Sequence, residues 1–194
     1  MRKVLFVDCC IRGAQSRTWA LAEAFLEALP DDCQVEHLRL TEQALAPLTG
    51  EYFESRQTLL DAGQTDHPRF CYAHQFAEAD LIVMAAPFWD LMFPALLKVY
   101  IEQVSVDGIT FASTEQGLKG LCKASALVYL TTRGGFYPDG HWELGTKYLD
   151  ALHEFFGIGS FFCVGADGMD VQGFDVEGSL AAAKAEARKL AANL

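Results

Sequence analysis

The stretch at residues 81–86, Leu-Ile-Val-Met-Ala-Ala, is apolar without interruption and ends at Pro87. Its apolar residues are continuous rather than alternating, which is typical of a strand buried on both faces, as in a parallel sheet. Similar runs occur at residues 4–7, 124–130 and 161–164, and a less regular one occurs at 35–40. The sequence therefore predicts five strands.

Segments with apolar residues at helical spacing lie between these strands. The first, from Trp19 to Leu29, ends at Pro30, and the last is Ala-rich and follows a candidate N-cap, Asp175. The other helical segments are 50–78, with a break at 63–68, then 92–104 and 142–156. Strand and helix thus alternate about five times, which indicates a three-layer α/β fold with a parallel sheet. Residues 105–123 are polar and contain glycine, so we expect an irregular segment or a small excursion beside the sheet.

Length and composition favour one folded domain. A chain of 194 residues with 51% hydrophobic and 21% charged residues can bury a sizeable core, which excludes a disordered or low-complexity protein. We therefore expect a single domain over residues 1–194. Fifteen basic against 26 acidic residues give a net charge of −11, which repels the phosphates of nucleic acids and of acidic lipids. A nucleic acid partner is thus disfavoured, whereas one phosphate in a local pocket is not.

Cysteine usage and hydropathy favour a cytoplasmic protein. The six cysteines show no C-x-x-C spacing and lack the density of a small secreted domain, so free thiols are expected. Residues 1–8 hold too short an apolar run for a signal peptide, and no apolar run of about 18 residues is present to insert into a membrane. The five histidines lack metal-ligand spacing with cysteines or carboxylates, so no metal is expected.

The loops after the strands are candidates for ligand binding, because open α/β sheets bind ligands at the carboxyl ends of strands, where the strand order reverses. These loops follow residues 8, 86, 131 and 166. The first, residues 9–18, leads into a helix, and its Ser16 and Thr18 hydroxyls, its amides and the helix dipole favour an anion. It contains neither G-x-G-x-x-G nor G-x-x-x-x-G-K-[ST], so a monophosphate fits better than a dinucleotide or a triphosphate. The alternative is that Ser16 only caps the helix.

Two further loops have compositions that suit a flat ring. Residues 86–93 place Phe88 and Trp89 directly after a buried strand, where they form a wall for a ring or, alternatively, part of the core. Residues 132–137 combine two glycines with Arg133, so that backbone amides approach a ligand closely, although a plain Gly-Gly turn has the same sequence. Three such loops at one edge of a sheet favour a ligand site.

With these loops in place, the chain resembles the flavodoxin-like family of FMN-dependent NADH-azoreductases and NAD(P)H quinone reductases. Residues 86–91 resemble the family's A-P-M-Y-N-F loop, and residues 97–102 its L-K-N-Y-F-D helix. Residues 108–111 are similar to G-V-T-F and residues 132–135 to S-R-G-G, while the first loop aligns without a gap with S-S-x-x-x-x-x-S-x-S. These motifs are specific for the family, but not for a substrate.

The resemblance implies a flavodoxin-like three-layer sandwich with a five-stranded parallel sheet in the order 2-1-3-4-5. It also implies a homodimer with one FMN per subunit near the interface. NADH or NADPH would be the electron donor, and a small aromatic molecule, a quinone or an azo compound, the acceptor. Donor and acceptor would use the same pocket in turn, which predicts ping-pong kinetics.

The same resemblance assigns site residues by position. Around the FMN phosphate it places Cys10, Ser16, Arg17 and Thr18; along the rest of the cofactor Pro87, Phe88, Trp89, Asp90, Leu91, Thr132, Arg133, Gly134 and Gly135; and in the substrate pocket Phe111, Phe136 and Tyr137. Three positions depart from the family pattern, since Cys10 belongs to a Cys pair in place of a Ser pair, Asp90 replaces Asn, and Tyr137 replaces His. A thiol donates hydrogen bonds only weakly, and an ionised carboxylate only accepts them. Tyr137 is the candidate for delivering a proton to the acceptor.

Two other functions stay open on the sequence alone. A non-catalytic electron carrier of the flavodoxin type fits the acidic charge equally well, but it would need a protein reductase. A thiol redox sensor built on Cys9 and Cys10, with a decayed flavin site, is the other, because low-pKa thiolates occur near helix N-termini. Adjacent cysteines seldom form an unstrained disulfide, so two small buried residues are the simpler interpretation.

Overall fold

A computed structural model describes residues 1–138 and 140–194. The strands within these residues are β1 (Arg2–Asp8), β2 (Cys33–Arg39), β3 (Leu81–Ala85), β4 (Phe111–Thr114), β5 (Gly117–Gly120), β6 (Ala126–Thr132) and β7 (Ser160–Ala166). Five of them form one parallel sheet in the order β2-β1-β3-β6-β7. Counted among the sheet strands alone, this is the order 2-1-3-4-5, so the predicted fold class is confirmed.

Helices connect the strands of the sheet. They are α1 (Arg17–Leu26), α2 (Gly50–Asp61), α3 (Cys71–Glu78), α4 (Ala95–Val104), α5 (Leu144–Phe156) and α6 (Val176–Ala191). The predicted N-cap of the last helix is confirmed, since Asp175 Oδ1 accepts the Gly178 amide at 2.8 Å. Among the helices of the described residues, none has the length and apolar character needed to cross a membrane.

Several predicted boundaries were wrong for local reasons. Helix α1 ends before Leu29, because the chain tightens there into i→i+3 hydrogen bonds. Helix α4 begins at 95 rather than 92, because Pro94 is its N-cap and the residues before it form a tight turn. Helix α5 begins after Glu143, whose carboxylate accepts the Thr146 amide at 3.1 Å. Strand β2 ends at Arg39, and Leu40 starts a short 3-10 turn.

The core lies on both faces of the sheet, which gives the three layers. All residues of β3 and β6 are buried. Alternate strand residues point to opposite faces: one face packs against α3, α4 and α5, and the other packs against α1 and α6. The continuous apolarity at residues 81–86 therefore has the predicted cause, since each side chain of this strand meets a helix layer.

The segment 105–123, expected to be irregular or a small excursion, contains the antiparallel hairpin of β4 and β5. The hairpin packs its end against the C-terminus of α5, where Gly157 has a φ of +73°. A Cβ atom at Gly120 would lie 2.0 Å from the Gly157 nitrogen, which is backbone and cannot rotate away. Gly120 is therefore required for this close approach.

We expect Gly120→Ala to destabilise the fold by more than about 2 kcal/mol, because the added methyl overlaps backbone atoms of α5. Urea unfolding followed by circular dichroism measures the change. Gln116→Ala, at the exposed tip of the same hairpin, serves as the control and should change the free energy of unfolding by less than about 0.5 kcal/mol. Equal stability of the two variants would show that the hairpin does not dock as described.

Candidate active site at the carboxyl edge of the sheet

A cavity of about 210 Å³ opens where β1, β3 and β6 end. Its lining comes from four loops and comprises Ile11, Arg12, Gln15, Ser16, Arg17, Thr18, Pro87, Phe88, Trp89, Thr132, Gly134, Met169 and Asp170. The strand order reverses between β1 and β3, so the cavity lies at the position where open α/β sheets bind ligands. The structure thus brings together parts of all three loops that the sequence singled out by composition.

The N-terminus of α1 forms one side of the cavity. Ser16 is the N-cap, and its Oγ accepts the Trp19 amide at 3.3 Å while its carbonyl accepts the Ala20 amide at 3.1 Å. The amides of Arg17 and Thr18 occupy the first two helical positions, which have no acceptor within the helix. Ser16 therefore both caps the helix and lines the cavity, and the positive end of α1 faces a space that suits an anion.

A buried hydrogen bond fixes this helix terminus against the sheet. The hydroxyls of Thr18 and Thr132 lie 2.6 Å apart, and both side chains are buried. The Thr18 hydroxyl is therefore engaged with β6, which leaves its backbone amide as the group offered to a ligand.

Arg17 is held by the fourth loop, which follows β7. Its Nη1 donates to the Met169 carbonyl at 2.8 Å and to Asp170 Oδ1 at 3.0 Å. Sequence reasoning singled out the loop after residue 166 as a ligand loop, but it named neither Met169 nor Asp170. A single aspartate in a polar loop carries no local signal, because its importance here comes from a partner 153 positions earlier.

The Cys pair lies behind the cavity rather than in its wall. Cys9 and Cys10 are both buried, and the Cys10 thiol lies 3.8 Å from the Ala85 carbonyl oxygen. Burial, and next the negative charge of Asp8, raises the pKa of the Cys9 thiol to about 12, and the same causes raise the pKa of Cys10 further. A thiolate is therefore strongly disfavoured at both positions, which argues against the thiol-sensor alternative.

Asp8, which sequence reasoning missed, organises the start of the first loop. Its carboxylate is buried and accepts the Cys10 amide at 2.8 Å. On the other side it lies 3.0 Å from His37 Nε2 and 3.4 Å from Arg39 Nε, both on β2. These contacts tie the loop to the neighbouring strand, as expected for a buried charge, which is retained only with partners.

The loop after β3 contains a tight turn with two residues in the left-handed region. Trp89 and Met92 exchange two backbone hydrogen bonds of 3.0 and 2.8 Å, while Asp90 and Leu91 have φ values of +49° and +68°. Asp adopts this region comparatively easily, whereas Leu is sterically disfavoured there. The turn leaves Trp89 43% exposed at the cavity, but neither Asp90 nor Leu91 belongs to the cavity lining.

The loop after β6 contributes Gly134 to the cavity wall, whereas the side chain of Arg133 does not line the cavity. Arg133 Nε donates to Asp167 Oδ1 at 2.6 Å, and its side chain crosses over Gly165, so it is directed away from the cavity. Gly134 lines the cavity, and a Cβ atom there would lie 2.6 Å from Asp170 Oδ2. Gly135 accepts the Gly168 amide and lies beside the Tyr137 ring.

A second hollow of about 360 Å³ continues the aromatic surface. Its lining comprises Phe136, Tyr137, Pro138, Gly140, His141 and Trp142. The Tyr137 ring contacts Phe88 of the first cavity, with 4.7 Å between ring centroids. Phe111 instead lies on β4 against Phe155, and it lines neither hollow.

Comparison with known proteins identifies the family. A family model described as "Flavodoxin-like fold" matches residues 2–191. The chain belongs to this flavodoxin-like family. Its relatives include the FMN-dependent NADH:quinone oxidoreductase 2 of Clostridium acetobutylicum, 40% identical over 188 residues and 93% of each chain, and the FMN-dependent NADH:quinone oxidoreductase of Clostridium beijerinckii, 35% identical over 100% of each chain. Among solved structures, an azoreductase from Bacillus anthracis str. Sterne matches with a TM-score of 0.87 and 31% identity over 100% of both chains.

The family resemblance read from the motifs is therefore confirmed. The individual site residues stay predictions. The cavity of this flavodoxin-like protein brings together Ser16, Arg17, Thr18, Pro87, Phe88, Trp89, Thr132 and Gly134 of the expected set. Outside its lining lie Cys10, Asp90, Leu91, Phe111, Arg133, Gly135, Phe136 and Tyr137.

The burial of the Cys pair predicts a labelling pattern. Because the pKa of Cys9 is raised to about 12, on the order of one Cys9 thiol in 10,000 is ionised at pH 8. Iodoacetamide at pH 8 should alkylate the exposed Cys71 and leave Cys9 and Cys10 unmodified until urea unfolds the protein. Tandem mass spectrometry of the digested protein, with and without urea, measures this. Rapid alkylation of the Cys pair in the folded protein would contradict this prediction and support the thiol-sensor function.

Proposed function

We propose that this flavodoxin-like protein is an FMN-dependent oxidoreductase that passes two electrons from NADH to quinones or azo compounds. The observation that carries the proposal is the cavity at the β1–β3 switch point, where a helix N-terminus, an aromatic wall and a glycine-containing loop meet. In flavodoxin-like sheets this switch point is the FMN site. The relatives' names, FMN-dependent NADH:quinone oxidoreductase, support cofactor, donor and acceptor class together.

The residues of the first loop fit the phosphate end of FMN. The free amides of Arg17 and Thr18 and the Ser16 hydroxyl supply neutral donors, and Arg12 and Arg17 supply positive charge. A phosphate at a helix N-terminus is favoured by the amides and the dipole together. These groups would hold the phosphate, and Thr18–Thr132 would keep the helix terminus in place.

The aromatic and glycine loops fit the flavin ring. Phe88 and Trp89 offer flat apolar surface, and Gly134 lets backbone approach the ring edge. The cavity holds about 210 Å³, whereas pockets for ligands of this size measure roughly 300–1,000 Å³. We infer that the ring extends toward the second hollow beside Tyr137, where the acceptor would also bind.

A homodimer would complete the site. The two hollows have exposed apolar residues in their walls: Trp89 in the first, and Phe136 and Trp142 in the second. Leu91 and Leu144 are exposed as well, and a backbone hydrogen bond of 2.9 Å joins them. Exposed apolar patches of this kind mark surfaces that a partner covers. A second copy of the chain would exclude water from the ring and enclose the acceptor. Phe111 would reach the substrate pocket only from such a partner, since it lines neither of the two hollows of its own chain.

Bound FMN would supply the redox chemistry, accepting hydride from NADH and passing two electrons to the acceptor. The chain's residues would bind and orient the flavin, exclude water and donate hydrogen bonds. NADH and the acceptor would occupy the same space in turn, so ping-pong kinetics are expected. Residues 1–194 would act as one domain, consistent with the match over residues 2–191. A cytoplasmic location fits the six free cysteines.

The decisive experiment follows the visible absorbance of FMN on the purified protein without oxygen. Addition of NADH should bleach the bound flavin faster than free FMN at the same concentration, and addition of a benzoquinone or an azo dye should restore the colour. A protein that binds FMN and stays yellow with NADH would be an electron carrier instead. A protein that takes up no FMN would show that the proposed function is wrong.

Tyr137 is the proposed proton donor to the acceptor, because its ring contacts Phe88 at the junction of the two hollows. We expect Tyr137→Phe to lower kcat for quinone reduction about tenfold or more, since a positioned proton donor contributes roughly 10²–10⁴-fold. The rate of flavin bleaching by NADH should stay unchanged. Tyr148→Phe, which alters a tyrosine packed on Phe93, is the matched control and should keep both rates. Unchanged quinone turnover in Tyr137→Phe would exclude this role.

A further inference from the structure

We propose that Asp170 determines how tightly the site holds the phosphate of its cofactor, by pairing with Arg17 and placing a negative charge beside the phosphate cradle. The inference rests on the proposed function, because it concerns the FMN phosphate at that same site. It predicts that removing the charge of Asp170 tightens the binding of FMN and leaves the binding of a flavin without a phosphate unchanged.

The backbone fixes Asp170 in the cavity wall. The amides of Gly168, Met169 and Asp170 donate to the carbonyls of Gly135, Arg133 and Gly134, each at 3.0 Å. This short ladder leaves the Asp170 carboxylate over Gly134, where a Cβ atom would be 2.6 Å from Oδ2. The carboxylate is therefore a built part of the wall, and a side chain at Gly134 would collide with it.

Arg17 does not need the carboxylate to be oriented. The nitrogen that donates to Asp170 Oδ1 at 3.0 Å also donates to the Met169 carbonyl at 2.8 Å. The carbonyl would keep the guanidinium at the cavity when the charge of Asp170 is removed. The main effect of Asp170 is therefore electrostatic, since it offsets the positive charge that Arg17 offers to an anion.

The other acidic groups nearby do not have this effect on the cavity. Asp167 is engaged with Arg133 at 2.6 Å, and Asp90 lies outside the lining. Within the described residues, Asp170 is the one carboxylate that lines the cavity, and the same lining includes the cations Arg12 and Arg17. The side chains of Arg17 and Asp170 are 46% and 77% exposed, so solvent screens their ion pair and a phosphate can compete for Arg17.

The test compares the affinity of the protein for FMN with its affinity for riboflavin, which has the same ring but no phosphate. Asp170→Asn keeps an oxygen that accepts from Arg17 and removes the charge. We expect it to lower the Kd for FMN, measured by quenching of flavin fluorescence, about two- to fivefold. The Kd for riboflavin should not change. Asp66→Asn, which removes the same charge from the exposed loop between α2 and α3, should change neither Kd.

A double-mutant cycle tests whether the effect passes through Arg17. In the Arg17→Gln background, Asp170→Asn should tighten FMN binding less than it does in the native chain. An Asp170→Asn variant that binds FMN no more tightly than the native chain would overturn the inference and leave the proposed function intact. An equal tightening for riboflavin would also overturn it, because the effect would not involve the phosphate.

Inorganic phosphate separates failure of the inference from failure of the proposed function. If no flavin binds but phosphate raises the Tm of Asp170→Asn more than that of the native chain, the role of Asp170 stands and the proposed function falls. If no flavin binds and phosphate affects both proteins equally, both are wrong. Asp170 is exposed and its backbone hydrogen bonds do not involve the side chain, so the variant should fold.

Discussion

The hydrogen bond between the Thr18 and Thr132 hydroxyls joins the first turn of α1 to the end of β6. Because β3 lies between β1 and β6 in the sheet, this bond passes over the end of β3 and holds the start of α1 beside the point where the strand order reverses. Three parts of the cavity wall meet at this edge of the sheet: the positive end of α1, the aromatic turn after β3 and the glycine loop after β6. The free amides and the dipole of this helix terminus suit an anion without a glycine-rich phosphate motif. The hydrogen bond of Thr18 keeps the terminus in place.

The sequence predicted the central strands well because they are buried on both faces. Residues 81–86 and 126–130 are continuously apolar, and each of their side chains meets a helix layer. Strand β2 lies at the edge of the sheet with mostly exposed residues, so its apolar pattern is weak and its end was misplaced by one residue. Strand order depends on crossovers between distant segments, and it came from the family resemblance rather than from the pattern.

At the site, the sequence predicted which loops meet but not where each side chain points. Arg133 and Cys10 were expected near the cofactor because they match cofactor positions of the family that the chain resembles. The structure turns Arg133 toward Asp167, its charge partner on the next loop, and places the Cys10 thiol against the Ala85 carbonyl. Asp8 and Asp170 were missed for the converse reason. Their roles depend on partners on other strands and loops, His37 and Arg17, which no local pattern encodes.

The charge of the site opposes the charge of the molecule. A net charge of −11 repels NADH and FMN, both of which are anions, so the two arginines at the cavity create a local exception. Asp170 offsets part of that positive charge, because its carboxylate lies 3.0 Å from Arg17 Nη1. Much of the affinity must then come from hydrogen bonds to the amides of α1 and from contact with the aromatic surface. Cofactor binding in this protein should accordingly depend on ring stacking and on backbone amides, with the arginine charges adjusting the affinity for the phosphate.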